Sequence, residues 1–513
     1  MATNYGKGLY KEYELLLSEN ASVKAEYKLL RKEHQLLQKE IKSKEKLELE
    51  LAEKATEIEA LKKEIIRLNA LMNTDGTNSG TPTSKTPISK KKIIPNSRKK
   101  SDKKIGGQPG HKKKNLETFK EDEITEIEIH AEEECPYCGG KGEETENIIV
   151  KDELDYEVVV IKKRHQYPIY KCIDCGREFH QSIPNNLKEE NQYGSNVQAL
   201  SLSLMNIGNV SVNKVRKMIY GLSEEEINPS EGYIIKQQRK ADEQLTGFLE
   251  ELKKRCLDLE TLYWDDTVID INTTRGCLRF YGDDTIALYV AHQHKNKEGL
   301  DEDGILKLLS SDTIVMHDHN KVNYNKEYSF SNIECNVHMI RDLQKTTDNL
   351  KHEWSTRLKV LLENTNSQRN AAIESGQKAF ENGYVKDFYR EFDQIMLKAA
   401  EENKADYNKY YGKDERTLIL RILKYKDNYL SWVVNFDLPF SNNLSERALR
   451  GIKSKMKISG QFQSEKSARN YAAVKSYIET CYRNGINEMQ ALIRLCEGNP
   501  YTVKEILENK CGD

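Results

Sequence analysis

The sequence predicts a multidomain α+β protein, with an N-terminal coiled coil, a cysteine-rich module, a helical segment and an α/β core that carries a helical insertion. From Glu12 to Met72 the chain has no proline or glycine and is rich in Leu, Glu and Lys. Two CxxC pairs then fall between Glu121 and His180. From Glu260 the apolar pattern changes to the alternation typical of strands. A length of 513 residues leaves room for three or more domains.

The overall composition is polar for a globular protein. Hydrophobic residues make up 37% of the chain and charged residues 32%, and the mean hydropathy is -0.76. Part of the chain is therefore expected to be extended or helical without a core. There is no apolar run of bilayer length, and the first residues lack the apolar region of a signal peptide. These features predict a cytoplasmic protein whose ten cysteines are thiols or metal ligands.

Residues 10–73 are predicted to form a coiled coil. Apolar side chains recur at three-four spacing, as a coiled-coil seam requires. A single solvated helix is the alternative, but several heptads of regular seam favour self-association into a homo-oligomer. The seam positions are Leu51, Ile58, Leu61, Ile65, Leu68 and Met72.

Residues 74–118 form a basic linker that is predicted to be disordered. Between Lys85 and Lys114 there are twelve Lys or Arg residues against one acid, Asp102. Such a block cannot form a core, and its density of positive charge favours contact with nucleic acid phosphates over a merely solvated surface. The lysines expected to make those contacts are Lys99, Lys100, Lys103, Lys104, Lys112 and Lys113.

Residues 119–185 are predicted to be a zinc-binding module. Two CxxC pairs on separate turns supply four thiolates, which suit one tetrahedral Zn²⁺ ion with no open coordination position. The role of this ion would therefore be structural. A short strand or hairpin is expected between the pairs. The predicted ligands are Cys135, Cys138, Cys172 and Cys175.

Residues 190–245 have the spacing of several short helices. Turns at Gly208-Asn209 and Asn228-Pro229 suggest a helix-turn-helix-like segment that binds DNA. A plain helical connector explains the same pattern equally well.

The region 258–480 begins with three strand-like segments, a short helix at 301–311 and a fourth strand. This order matches the opening of a ribonuclease-H-like fold, in which carboxylates on the first strand and at the end of the fourth bind metal. Asp265 and Asp318 occupy those two places. Because a carboxylate in an apolar strand is unfavourable unless it is paired or bound to metal, the two are predicted to form a metal site with Glu446. Strand alternation allows only one of Asp265 and Asp266 to face the metals, and Asp265 is preferred.

Glu446 also has a purely structural interpretation. It lies three residues after Asn443, so the two could form a capping box at the start of a helix. A carboxylate cannot cap a helix and bind Mg²⁺ at the same time, so the two interpretations make different predictions.

Several longer motifs occur along the chain in a fixed order. They are GGQPGH, the two CxxC pairs, WDDT, ECNVHMIRDL, FSNNLSERALRGIKSKMKISGQF and SYIETCYRNGINEMQAL. Together they resemble the transposases of insertion-sequence family sixty-six. The resemblance extends over nearly the whole chain, in the order of the segments described above.

The resemblance implies a DDE transposase with the catalytic carboxylates Asp265, Asp318 and Glu446, two catalytic Mg²⁺ ions and a structural Zn²⁺ ion. It also implies a helical insertion at about 345–430 and a C-terminal helical tail at 481–513. The substrates would be double-stranded DNA at element ends and at the target, in the bacterial nucleoid, with accessory proteins of the same element as further partners. Basic residues that follow Glu446 would lie along DNA, namely Arg447, Arg450, Lys453 and Lys455.

Two other functions remain open from the residues alone. A DNA-binding scaffold or repressor would keep the accessory modules with a catalytically inactive core. A ribonuclease-H-like nuclease would cut DNA without joining it.

Overall fold

The computed structural model describes residues 3–72, 118–131, 134–143, 145, 148–184, 186–187 and 189–509, with side chains from residue 8 to 69 in the first range. The chain forms two compact units. One contains the N-terminal helix together with Arg341–Leu361 and Phe388–Lys424, and the other contains the remaining described residues. No helix in these ranges combines the length and the apolar character needed to cross a bilayer.

The N-terminal segment is one helix, α1 (Thr3–Met72), of 70 residues. Ion pairs at helical spacing stabilise its surface, such as Arg67 with Glu64 at 2.7 Å. The expected seam is exposed in the single chain, with 68% of Leu51 and 56% of Leu61 accessible. The predicted helix is therefore confirmed, and its pairing with a second chain stays a prediction.

The cysteine-rich segment has little regular structure. A two-stranded ladder, β1 (Tyr170–Lys171) with β2 (Glu178–Phe179), surrounds the second CxxC pair. The hairpin expected between the two pairs is wrong, because residues 155–169 are all described and none belongs to a strand. Apolar and charged side chains alternate there, but the side chains are largely exposed and have no sheet to pack against.

Four helices precede the central sheet and share its core. Buried Leu202, Ile219, Ile234 and Leu252 belong to one cluster with Trp264 of the sheet. The expected helix-turn-helix-like segment is thus helical, but its apolar faces pack on the sheet domain. The helices are α2 (Ser195–Asn206), α3 (Val212–Leu222), α4 (Glu231–Gln244) and α5 (Thr246–Leu257).

A mixed five-stranded sheet has the order β5-β4-β3-β6-β7. The outer pairs β5–β4 and β4–β3 are antiparallel, whereas β3–β6 and β6–β7 are parallel. The first four strands agree with the predicted segments, and the fifth was not predicted. The strands are β3 (Thr261–Ile271), β4 (Thr274–Gly282), β5 (Ala287–His292), β6 (Ile314–His317) and β7 (Ser331–Glu334).

The short helix before β6 differs from the prediction. Helix α6 (Lys297–Asp303) ends at Gly304, which adopts φ 68° in the left-handed region and stops the helix. Only a single 3₁₀ turn follows, over Leu306–Leu308. The expected helix at 301–311 is therefore wrong in position, because glycine favours the helix-ending conformation there.

Helices fill the rest of the chain. Those between β7 and Val434 form the insertion, and α12 and α13 pack on one face of the sheet through Leu449, Ile452 and Tyr471. The insertion helices are α7 (Asn336–Leu350), α8 (Glu353–Glu374), α9 (Asn382–Asp406), α10 (Gly412–Lys424) and α11 (Lys426–Val434). The later ones are α12 (Asn443–Ser459), α13 (Glu465–Arg483), α14 (Glu488–Cys496) and α15 (Val503–Asn509).

Candidate active site

Asp265 of β3 and Asp318, which directly follows β6, approach each other where the pairing of these two parallel strands ends. Tyr263 of β3 is in register with Met316 of β6. Because the two strands run in the same direction, Asp265, two residues after Tyr263, lies beside Asp318, two residues after Met316. The negative charge of Asp318 raises the pKa of Asp265, as expected for carboxylates at close range.

Strand alternation separates Asp265 from Asp266. Asp265 shares a face of β3 with Ile269 and Ile271, which pack in the core beneath α12. Asp266 points to the other face, where its carboxylate lies 2.5 Å from Nζ of Lys295. Asp266 therefore has a cation of its own, whereas Asp265 faces a second carboxylate.

Asp265 is held in an environment that disfavours its charge. Burial, followed by the charges of Asp318 and Asp266, raises its pKa to about 8, although the Asp266 N–H donates to its Oδ1 at 2.8 Å. A divalent cation would remove this repulsion. The donor set of neighbouring carboxylates thus fits a hard divalent ion such as Mg²⁺.

Glu446 enters from the first turn of α12, and the expected capping box is wrong. The N-cap residue is Asn442, not Asn443, and its side chain makes no capping hydrogen bond. Instead, the Asn442 side-chain amide donates to the backbone carbonyl of Trp264 at 2.9 Å. This contact links the start of α12 to the residue before Asp265, and Glu446 is left without a capping role.

The other end of α12 is joined to the same strand. The N–H of Phe462 donates to the Asp270 carbonyl at 2.8 Å, and the N–H of Asn272 donates to the Phe462 carbonyl at 2.9 Å. Strand β3 therefore contacts the chain on both sides of α12.

His338 lies between two of the predicted carboxylates. Its Nδ1 is 2.9 Å from Oδ1 of Asp318, and its Nε2 is 3.7 Å from Oε1 of Glu446. Burial opposes protonation of the ring, but the contacts with Asp318 and Cys335 outweigh it and raise the pKa of His338 to about 11. Sequence reasoning did not assign His338 to the site. Its signal was the Cys335-x-x-His338 spacing, which places both residues at the start of α7.

The histidines next to Asp318 have other partners. Nε2 of His317 lies 2.7 Å from Oδ1 of Asn332, and Nδ1 of His319 lies 2.7 Å from Oε1 of Glu334. Glu334 also accepts a hydrogen bond from the Tyr324 hydroxyl at 2.6 Å. These contacts position the loop after β6.

The basic residues of α12 fall into two groups. Arg447, Arg450 and Lys453 are exposed. Lys455 is partly buried, with its Nζ 4.7 Å from the centroid of the Tyr471 ring, and burial lowers its pKa to about 8. Three of the four predicted DNA contacts thus face solvent, whereas Lys455 packs on the domain.

Each CxxC pair forms a tight turn. The N–H of Gly139 donates to the Cys135 carbonyl at 2.8 Å, and that of Gly176 donates to the Cys172 carbonyl at 2.9 Å. Backbone N–H groups, of Tyr137 and Cys138 in the first turn and of Cys175 and Asp174 in the second, lower the pKa of Cys135 and Cys172, and the second thiol of each pair adds to this effect. Among the described residues the four sulfur atoms are not gathered in one cluster. The predicted lysine contacts at Lys99, Lys100, Lys103, Lys104, Lys112 and Lys113 lie outside the described residues.

Comparison with known proteins gives one family match. The model of the family described as "Transposase IS66 family" matches residues 210–470, which include the sheet, the insertion and α12. A search of curated protein sequences finds no match.

Proposed function

The chain belongs to the IS66 family of transposases, and on that premise we propose that it cuts DNA at the ends of an insertion sequence and joins the freed 3′-hydroxyl to target DNA. The observation that carries the proposal is the approach of Asp265, on β3, to Asp318, just after β6, with Glu446 brought in by α12. The strand order of the sheet supports a ribonuclease-H-like domain for this chemistry.

Both reactions exchange one oxygen for another at phosphorus. In the first, the oxygen of water bonds to the phosphorus of a phosphodiester and gives up a proton. The bond between that phosphorus and the 3′-oxygen of the element breaks, and the released oxygen takes up a proton to become the 3′-hydroxyl. In the second, that 3′-hydroxyl loses its proton, bonds to a target phosphorus and displaces a 3′-oxygen of the target strand. Two divalent ions, when bound, supply the charge that stabilises the attacking and leaving oxygens.

The carboxylates would hold those ions and so fix where the reaction occurs. Asp265 lies within strand β3, Asp318 directly follows β6, and Glu446 comes from a helix fixed to β3. A preorganised site of this kind needs little rearrangement when DNA arrives. A direct in-line displacement at phosphorus requires no covalent protein intermediate, so no Ser, Tyr or Cys nucleophile is assigned.

Exposed cations next to Glu446 would position the DNA backbone. Arg447, Arg450 and Lys453 lie on the same helix as Glu446 and are exposed to solvent. Contacts of arginine and lysine with phosphates fix register without reading sequence. The basic linker would add sequence-independent affinity, and this affinity should fall as salt is raised.

The remaining modules would bind element ends and pair protomers. We assign one structural Zn²⁺ to Cys135, Cys138, Cys172 and Cys175, which requires the two CxxC turns to come together when the ion binds. The exposed apolar seam of α1 supports a homo-oligomer that holds two ends together. Light scattering of the full chain and of a Leu61→Arg variant would test the second assignment.

The test of the function is joining of a labelled element end to a plasmid in the presence of Mg²⁺. Wild type should join, and Glu446→Gln should bind the end equally well without cutting or joining it. Glu479→Gln, on α13, is the matched control. Joining that persists in Glu446→Gln would overturn the assignment. Cutting without joining by wild type would indicate a nuclease, and binding alone would indicate a scaffold or repressor.

A further inference from the structure

A second kind of ligand set lies at the same strand ends. A carboxylate oxygen of Asp318, Sγ of Cys335 and a ring nitrogen of His338 all lie within 4.8 Å of one another. In the described part of the chain this is the one place where three or more metal-ligating side chains converge so closely. The three residues come from the end of β6, the end of β7 and the first turn of α7.

The backbone holds these donors in place. The N–H of Cys335 donates to the His317 carbonyl at 3.0 Å, which continues the pairing of β7 with β6. The next residue, Asn336, is fully buried and its side-chain amide donates to the Tyr429 carbonyl at 2.9 Å. Cys335 itself is 1% exposed, and its Sγ accepts a hydrogen bond from the Asn442 N–H at 3.2 Å.

We propose that Asp318, Cys335 and His338 form a binding site for a zinc-class divalent ion, distinct in ligand chemistry from the all-carboxylate Mg²⁺ site. Thiolate and imidazole donors favour Zn²⁺ and Co²⁺ over Mg²⁺, which prefers oxygen. Three protein ligands are also the number found in zinc sites that keep a position open. Glu446, 3.7 Å from the His338 ring, borders that position.

The two sites share Asp318. An ion bound by sulfur and nitrogen donors would draw Asp318 toward α7, so that Zn²⁺ and Mg²⁺ compete for it. The inference rests on the proposed function only for this consequence, because zinc binding can be measured without DNA.

The test is the zinc content of the full chain after equilibration in a zinc-buffered solution. Cys335→Ser and His338→Gln should each bind one equivalent of Zn²⁺ less than wild type, whatever the CxxC turns hold. Cys481→Ser, a buried cysteine on α13, and His180→Gln, an exposed histidine, should bind as much as wild type. Equal zinc content in folded Cys335→Ser, His338→Gln and wild type would overturn the proposal.

A measurement on wild type tests the proposal even if the variants fail to fold. X-ray absorption at the zinc edge should show nitrogen and oxygen neighbours besides the sulfur atoms of the CxxC turns. A coordination shell of sulfur alone would overturn the proposal. Neither readout depends on DNA joining, so a chain that binds zinc here but does not join DNA would contradict only the proposed function.

Discussion

The side-chain amide of Asn442 donates to the backbone carbonyl of Trp264, with 2.9 Å between nitrogen and oxygen. Both residues are buried, and each adjoins a candidate site residue, since Trp264 precedes Asp265 and Asn442 begins the turn that contains Glu446. This hydrogen bond thus joins β3, which supplies Asp265, to the start of α12, which supplies Glu446.

Asn442→Ala should therefore reduce joining more than it reduces stability. Loss of one buried hydrogen bond that leaves a carbonyl unpaired costs about 1–3 kcal/mol, whereas a shifted Glu446 weakens the whole ion site. We expect Mg²⁺ affinity and joining to fall at least tenfold at a temperature where the variant stays folded. Asn443→Ala, one residue on, is the control. Equal losses of joining in both variants would contradict the positioning role.

Asp265→Asn and Asp266→Asn should have different effects on DNA joining. Asp265 faces Asp318, so its amide variant should lose joining to the background level. Asp266 pairs with Lys295, whose side chain is 52% exposed, so its variant should lose at most about 1 kcal/mol of stability and keep joining. Joining assays and thermal unfolding of the pair would decide which aspartate serves the ion. The reverse pattern would assign the metal to Asp266.

The raised pKa of Asp265 predicts how the metal-free chain responds to pH. The carboxyl titrates at about 8 when folded and near 3.9 when unfolded, so the folded state binds more protons between these values. The free energy of unfolding should consequently fall as pH rises across that window. Asp265→Asn should remove the decline and be about 2–4 kcal/mol more stable than wild type at pH 8, with the two converging near pH 4. Denaturant unfolding in chelator, with Asp266→Asn as control, would measure this; parallel curves would contradict it.

Lys455 predicts the opposite dependence at alkaline pH. Its pKa is lowered to about 8 by burial, from 10.5, so the charged form is disfavoured in the folded chain. Lys455→Met should then raise stability by about 1–2 kcal/mol at pH 7, after allowance for the lost contact with Tyr471. The gain should shrink as pH rises from about 8 and vanish above 10.5, where the amine becomes neutral in the unfolded chain as well. Lys453→Met, on the exposed face, should leave stability unchanged and weaken DNA binding.

The first four strands of the sheet were predictable because apolar side chains alternate or cluster along them. β7 was missed because three of its four residues, Ser331–Glu334, are polar and show no apolar strand pattern. The N-cap was misassigned by one position for a related reason. Local rules favour Asn443 with Glu446, but the contact of Asn442 with Trp264 lies 178 residues away and cannot be seen in the local pattern.

The proximity of the Asp318 and Glu446 carboxylates to His338 could not be predicted from the sequence either. The Cys335-x-x-His338 spacing offered only two donors in sequence, and the third, Asp318, is supplied by the parallel pairing of β6 with β7. The packing of α2–α5 on the sheet could not be predicted for a similar reason. The sequence of an amphipathic helix indicates which face is apolar, but not the element on which that face packs.

The attachment of both ends of α12 to β3 bears on how the family can diversify. The contacts of α12 and its flanking residues with Trp264, Asp270 and Asn272 all lie within β3 or directly after it. The length of the helical segment between β7 and α12 therefore does not determine how far Glu446 lies from β3. Lengthening a loop adds only a slowly growing entropic cost. The segment between β7 and α12 can accordingly vary in length and sequence without moving Glu446 away from β3.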